Sequence, residues 1–446
     1  MNVGSIKQAI STNSIKLLSG LGNNDDCLAA MIAKDWIGDA ATVYTYKKEG
    51  GKDDAREKAI EEFGTGAIWL FGIPLVKKIV DKTVYPFLKL DSNFDPRVLD
   101  DKSKLEQITT TLKNSTNEAL SSQKEVFSNL FEKNPVIKSL TNAQLYKGMA
   151  IGKFAVATIA SAIGLTAIIK YKQDTTTKRI EKEIKEKKEN NTAATLVMKG
   201  VEKNPTYLAF TQSNKKSNPI SFTGGLAEFM YNPIKNTMIL DGVITGTRLK
   251  EARKGERGEV LFKEACQIAF IYGFPKLFDK ATGFIGKKLN CPIDLDPKVL
   301  FDKGLKEKID ASAHALKQIG DSKNILNTLQ EISIDSPIID LLDKNGVIST
   351  IKDKAGKILS IDYFKPIDED SVKNTVKEIA SLGDNFKNLG KIKAFKTSAI
   401  IANIIAGAAI MGVIQPLINI WMRKKMNNGD NRNPAIIAQE RNAMKA

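Results

Sequence analysis

The sequence predicts an all-α fold: a tandem duplication of a helical module, each copy ending in a long apolar helix. Three observations predict it. Lys, Ile, Ala and Leu are the commonest of the 446 residues, while Pro numbers 14 and aromatics make up 7%, a balance that favours helices over a sandwich or barrel. The octapeptide DPRVLDDK at 95–102 returns as DPKVLFDK at 296–303, and two stretches, 149–169 and 398–422, are almost free of charge. With 42% hydrophobic residues the chain can bury real cores in two or three domains.

The order along the chain follows from the repeat. Residues 1–24 form an N-terminal segment, and 25–175 form repeat 1. Within it "AIWLFGIP" ends at Pro74, and in the second copy "AFIYGFP" ends at Pro275. Gly72 matches Gly273, Pro74 matches Pro275, Asp95 matches Asp296 and Pro96 matches Pro297, all at an offset of 201. Chance rarely keeps four such residues in register over about 25 positions. Upstream, "AKDWIG" around Asp35 resembles "ILDGVI" around Asp241. Residues 176–225 read as a charged helical tether, "KRIEKEIKEKKENN", followed by a polar loop rich in Ser, Asn and Gly. Residues 226–425 form repeat 2, longer by roughly a helical hairpin, and 426–446 form a mobile polar tail.

The DP motif reads as a helix start. Asp95 and Asp296 suit an N-cap, where a carboxylate accepts from free N–H groups. Pro96 and Pro297 suit the first helical position, where a missing N–H costs nothing. A carboxylate metal site from Asp95, Asp100 and Asp101 is disfavoured because Phe301 replaces Asp100 in the second copy.

Segment 398–422 holds 25 residues without a charge. As a helix it measures about 37 Å, against roughly 30 Å of bilayer hydrocarbon. Lys391, Lys393 and Lys396 precede it, Trp421 and Arg423, Lys424 and Lys425 close it, and Pro416 predicts a kink. Segment 149–169 is flanked by Tyr146 and Lys147 on one side and by Lys170, Tyr171 and Lys172 on the other. Lys153 interrupts it near one end, where a lysine can snorkel. Gly148, Gly152, Ala160 and Gly164 recur at multiples of four, offering a face for close helix packing, and Ala408 with Gly412 repeats the relation. The shorter runs 63–76 and 265–275 suit re-entrant or core helices.

Net charge is +16, concentrated as +8 in 147–225 and +7 in 391–446. Both zones flank an apolar segment, so the expected partners are membrane lipids with anionic headgroups, together with a protein partner. Nucleic acid fits poorly: Glu181, Glu183, Glu186 and Glu189 interleave with the tether's lysines, and stacking aromatics are missing there. Three cysteines, Cys27, Cys266 and Cys291, lack metal-ligand spacing and favour a reducing, cytoplasmic compartment for the soluble parts. The N-terminus supplies no signal-peptide core, and neither end carries a lipidation motif.

No phosphate loop, dinucleotide fingerprint or nucleophile elbow occurs. "GGKDDAREK" reads as a turn and helix start, Glu61–Glu62 as a solvated helix face, and His314 as a helix-surface residue. No catalytic residue, metal ligand or cofactor is expected. The sequence therefore points to a non-enzymatic, membrane-associated helical protein. Its competitors are a soluble helical scaffold with the two apolar helices paired in a pseudo-twofold core, and a soluble form whose helices insert on demand.

Overall fold

Proline determines how three of the long helical rods run. Its ring collides with the carbonyl four residues back and it offers no N–H, so a helix containing it must kink or widen. In the computed structural model the chain widens. Lys52–Ala67 (α2) passes through a π-turn, Ile68–Gly72, into Ile73–Phe87 (α3), with Pro74 two residues past the turn. Arg257–Ile268 (α8) does the same through Ala269–Gly273 into Phe274–Lys288 (α9), ahead of Pro275. Leu389–Ala409 (α16) repeats it through Ile410–Ile414 into Gln415–Met426 (α17), ahead of Pro416. The kink expected at Pro416 is absorbed in this way, and the first two π-turns lie 201 residues apart.

The structure describes residues 14–19, 28–99, 102–131, 137–191, 233–253, 256–289, 291, 294–426 and 429–445. It is 81% helix and 2% strand. Three straight helices join the three widened ones: Leu28–Glu49 (α1), Ile137–Asn191 (α6) and Pro233–Glu251 (α7). Segment 149–169 and the start of the expected tether are one continuous 55-residue helix, because nothing in 170–191 breaks it. The rest of the tether and loop, 192–225, lies outside the described residues, as do Cys27, Asp100 and Asp101.

Four rods run one way and two run back. Lys34, Gly38 and Thr45 of α1 meet Gly407, Met411 and Gly412 in turn, so α1 runs parallel to α16–α17. Leu240 packs with Phe154 and Ala157, and Ile244 with Leu165 and Ile169, so α7 runs parallel to α6. The α2–α3 rod opposes them: Glu61 bonds Lys172 at its start, while Asp81 bonds Lys153 near its end.

Beyond α3 and α9 sits a smaller domain with an ordinary apolar core. It comprises the short turn Pro96–Leu99, Lys102–Asn114 (α4) and Ser121–Phe131 (α5), then Pro297–Leu300 (α10), Leu305–Ala311 (α11), Ala313–Asp321 (α12), Ile325–Glu331 (α13), Pro337–Lys344 (α14) and Glu369–Asp384 (α15). An antiparallel hairpin, Thr350–Lys352 with Ile358–Ile361, is the β-structure among the described residues. Val98, Leu99, Val299 and Leu300 share this core, so both DP motifs feed one hydrophobic centre. The motifs start helices, though only single turns: Asp296 caps α10 by accepting from the Lys298 N–H, and Asp95 accepts from the Arg97 N–H ahead of a 3-10 turn. The expected mobile tail folds instead as Pro434–Lys445 (α18). Asn433 caps it, and Asn431 donates to the Glu49 carbonyl.

Close packing uses part of the small-residue face. A Cβ on Gly412 would lie 2.6 Å from the Gly38 carbonyl oxygen and from Ala41 Cβ, and one on Gly164 would lie 3.2 Å from Ile68. Ala408 is buried and Ala160 half-buried, whereas Gly148 and Gly152 meet nothing within 4 Å. Gly412→Ala should therefore destabilise by about 1–3 kcal/mol through overpacking. Gly152→Ala should stabilise by about 1 kcal/mol through helix propensity. Chemical denaturation of the two variants checks the opposite signs.

Candidate functional site

Where the six rods meet at the end distant from the small domain, the interior is ionic. α2 places Asp54, Glu57, Lys58, Glu61 and Glu62 on its buried face. Positions 54, 57–58, 61–62 and 65 follow the helical period, so four acids and a base share one stripe. Glu61 and Glu62 were expected on a solvated face; they are 4% and 3% exposed. Their cations come from other rods. Lys172 of α6 bonds Glu61 at 2.9 Å, and Lys263 of α8 bonds Glu62. Arg248 of α7 pairs with Glu264, lies 3.6–3.7 Å from Glu62 and Glu61, and donates to Thr65 Oγ1 at 2.9 Å.

One turn toward the bundle end, Glu259 receives Lys58 at 3.3 Å, Arg423 of α17 at 2.6 Å and the Tyr46 hydroxyl at 2.8 Å. Arg423 also pairs with Asp54. Lys58 and Arg423 both lie over the Tyr46 ring, 5.1 and 5.0 Å from its centre. At the rim Arg253 joins Glu57 to Glu256, which accepts from Asn433 at the start of α18. Two of these pairs, Lys58–Glu259 and Glu62–Lys263, link positions 201 apart.

Burial would raise the Glu259 carboxyl, but Lys58 and Arg423 outweigh it and hold the group at about 2. Asp54 is less compensated: burial lifts it to about 6 against the pull of Arg423. Asp39 of α1 is 5% exposed. Burial, then Glu62 and Asp35, push it up to about 9, with Lys263 and Arg248 opposing. The arrangement neutralises charge and locks rods together. Among the described residues no group of His, Cys, Asp and Glu is placed to hold a metal.

The residues expected to flank a membrane divide. Lys170, Tyr171, Trp421, Lys424 and Lys425 are exposed, at the level of the cluster, and Lys425 lies 4.2 Å from the Trp421 ring centre. Lys172 and Arg423 instead turn inward to the carboxylates. At the other end Lys147 is half-exposed, but Tyr146 is buried beside Phe94 and accepts from the Asp91 N–H. Lys153 does not snorkel; it bonds Asp81 at 2.6 Å. Gly72, Pro74, Gly273 and Pro275 sit at the π-turns, away from the cluster. His314 is exposed on α12, and Asp95 is buried against Arg97. Sequence alone does not predict the cluster, although the helical spacing of 54, 57–58 and 61–62 is a visible signal.

Around the cluster and below it, the bundle turns apolar side chains outward. Ile159 and Ile163 of α6, Ile405 of α16, Phe71 and Leu75 near Pro74, and Leu277 of α9 are 58–68% exposed. Two helical stretches, Leu145–Glu186 and Phe386–Lys425, are long and apolar enough to cross a membrane, and only 22% and 33% of their apolar windows are buried.

No protein family, curated protein or solved structure matches the chain.

Arg248→Met leaves three buried carboxylates short of a cation and should destabilise by about 3–5 kcal/mol, measured by denaturant unfolding. Asp39 carries a distinct pH signature. Its folded value lies above the unfolded 3.8, so between those values the folded chain holds a proton that the unfolded chain has released. Its contribution to stability therefore falls as pH rises from about 4 to about 9, by at most about 1.4 kcal/mol per pH unit. Asp39→Asn should flatten the fall of Tm between pH 5 and 9; an unchanged slope contradicts the assignment.

Proposed function

We propose that the chain is a non-enzymatic, membrane-associated protein built from two diverged copies of one helical module. One observation carries the membrane reading: the bundle's polarity is inverted, with ion pairs inside and large apolar side chains outside. A core helix of a water-soluble protein buries its apolar windows. Here only 22% and 33% of the two windows are buried, and the side chains that they expose, such as Ile159, Ile163 and Ile405, meet water at a cost of about 25 cal/mol per Å² and lipid at none. The exposed Lys170, Lys424 and Lys425, with Tyr171 and Trp421 beside them, suit a boundary with anionic headgroups.

Duplication is supported by the 201-residue spacing of the π-turns and of the buried Val–Leu pairs in the DP motifs. The two cross-copy ion pairs add support, since equivalent positions face each other across a pseudo-twofold axis. Each copy then contributes one rod toward the cluster end, a widened rod back, a portion of the small domain, and an apolar rod toward the cluster again.

One observation favours the soluble scaffold as a second reading. α6 and α7 are parallel, so the link between them, 192–232, joins opposite ends of the bundle, and it contains Lys199, Lys203, Lys215 and Lys216. Four lysines on such a link make passage through hydrocarbon costly. Embedding on the outward faces of α3, α6, α9 and α16–α17, rather than encirclement by lipid, accommodates it. The two apolar helices do not supply the paired core that the scaffold reading expected: α6 packs chiefly on α2, α3 and α7, and α16–α17 on α1 and α8.

Alkaline carbonate washing and liposome flotation separate the readings. The protein should stay with membranes through the wash and float with anionic liposomes. Ile163→Lys with Ile405→Lys, both at exposed positions, should lower the floating fraction several-fold without unfolding the protein. A monodisperse, detergent-free protein that ignores liposomes overturns the membrane reading.

A further inference from the structure

A cavity of about 160 Å³ opens on the small domain where α4 and the Pro96–Leu99 turn meet α13 and the chain ahead of α15. Val98, Ile108, Leu326 and Tyr363 form its floor, each 5–7% exposed, with Ile367 beside them. Hydrogen bonds fasten the two sides. The Asp95 N–H donates to the Phe364 carbonyl at 3.0 Å, the Tyr363 N–H to Gln123 Oε1 at 3.1 Å, and the Gln107 amide to Asn324 at 3.3 Å. The opening is therefore held by the fold, as preformed ligand sites are. An apolar cavity of roughly 150 Å³ admits a molecule of benzene's size, so this one takes an apolar body of about six to eight carbon atoms.

The charged part of the lining selects what that body carries. Arg97, Lys104, Lys365 and Glu369 border the same cavity. Asp95 pairs with Arg97 at 2.8 Å and Glu369 with Lys104 at 3.3 Å, so a carboxylate already balances each of those cations. Lys365 differs. Its ammonium donates to the Asn93 carbonyl oxygen at 3.1 Å, which is a neutral acceptor. An ammonium has three donor hydrogens, and one surplus positive charge calls for a single negative one. A cation would be repelled, and a dianion would leave the set overcharged.

We propose that this cavity binds a monocarboxylate with an apolar body, the body resting on Val98, Ile108, Leu326 and Tyr363 and the carboxylate on Lys365. The site lies in the small domain, uses none of the bundle's outward faces and is independent of the membrane reading. A free acid and a peptide ending in an apolar residue offer the same chemistry to it.

Isothermal titration of the full chain tests the site, with hydrocinnamate and N-acetylglycylphenylalanine as probes. Saturable binding of at least one probe is expected, and the tighter of the two identifies the source of the carboxylate. Hydrocinnamyl alcohol, which keeps the body and lacks the charge, should bind about tenfold more weakly than hydrocinnamate. Lys365→Gln should weaken the acid by about tenfold and Lys365→Arg should restore most of the loss. Ile367→Trp should fill the cavity and abolish binding. No saturable binding of either probe overturns the proposal. An alcohol that binds as tightly as the acid, or an Ile367→Trp variant that binds as the unaltered chain does, overturns it equally. If Ile367→Trp does not fold, Lys365→Gln decides, because Lys365 is half-exposed and its loss leaves the core intact.

Discussion

The bundle depends on the fact that α2 cannot neutralise itself. Its buried stripe carries four acids and one base, and an isolated carboxylate in a protein interior is far too costly to keep ionised. The missing cations arrive from four other rods: Lys172 from α6, Arg248 from α7, Lys263 from α8 and Arg423 from α17. Each cation reaches its carboxylate only if its rod holds the correct depth and rotation. The ion pairs therefore act less as a source of net stability than as a specification of which rods are neighbours and in what register. The Tyr46 ring, between Lys58 and Arg423, and the C-terminal helix, held through Asn433, close the same constellation from the side and the end.

Two opposite rules of burial coexist in one chain. The small domain is built in the usual sense, with Leu300, Ile319, Ile338 and Ile379 fully buried, and with Asp340 held in partly exposed pairs with Lys308 and Lys344. The bundle reverses that order. Its apolar residues are too numerous for its interior, because much of that interior is taken by charge.

Much of the fold was legible in the sequence because it rests on local rules. Helical composition and the N-cap at Asp296 depend on a few neighbouring residues, and these two readings agree with the structure. The charged face of α2 was legible only in part. Its spacing was visible, but whether Glu61 and Glu62 face water or Lys172 and Lys263 depends on residues 111 and 201 positions away. For the same reason Lys172 and Arg423 looked like their neighbours Lys170 and Lys424. A lysine or arginine after an apolar run has the same local text whether it turns toward headgroups or toward a carboxylate. The tail misled for a related reason: its Asn-rich composition suggests mobility, while its order comes from contacts with Glu49 and Glu256.

The π-turns also act as phase shifts. An α-helix advances about 100° per residue, so one extra residue in a turn rotates everything beyond it by about that angle. In α2 the buried stripe ends at Thr65 and Gly66, just before the widened turn; past it, Phe71, Leu75 and Ile79 face outward while Ile73 is buried. The proline thus does more than relieve a clash: it sets the angle between the half-rod that carries the buried charges and the half-rod whose apolar side chains face outward. Length changes in these rods would consequently be felt as rotation rather than as extension. One residue removed from a π-turn would keep the helix intact and turn its lower half to the wrong neighbours, whereas the same deletion in a surface loop would leave every face where it is.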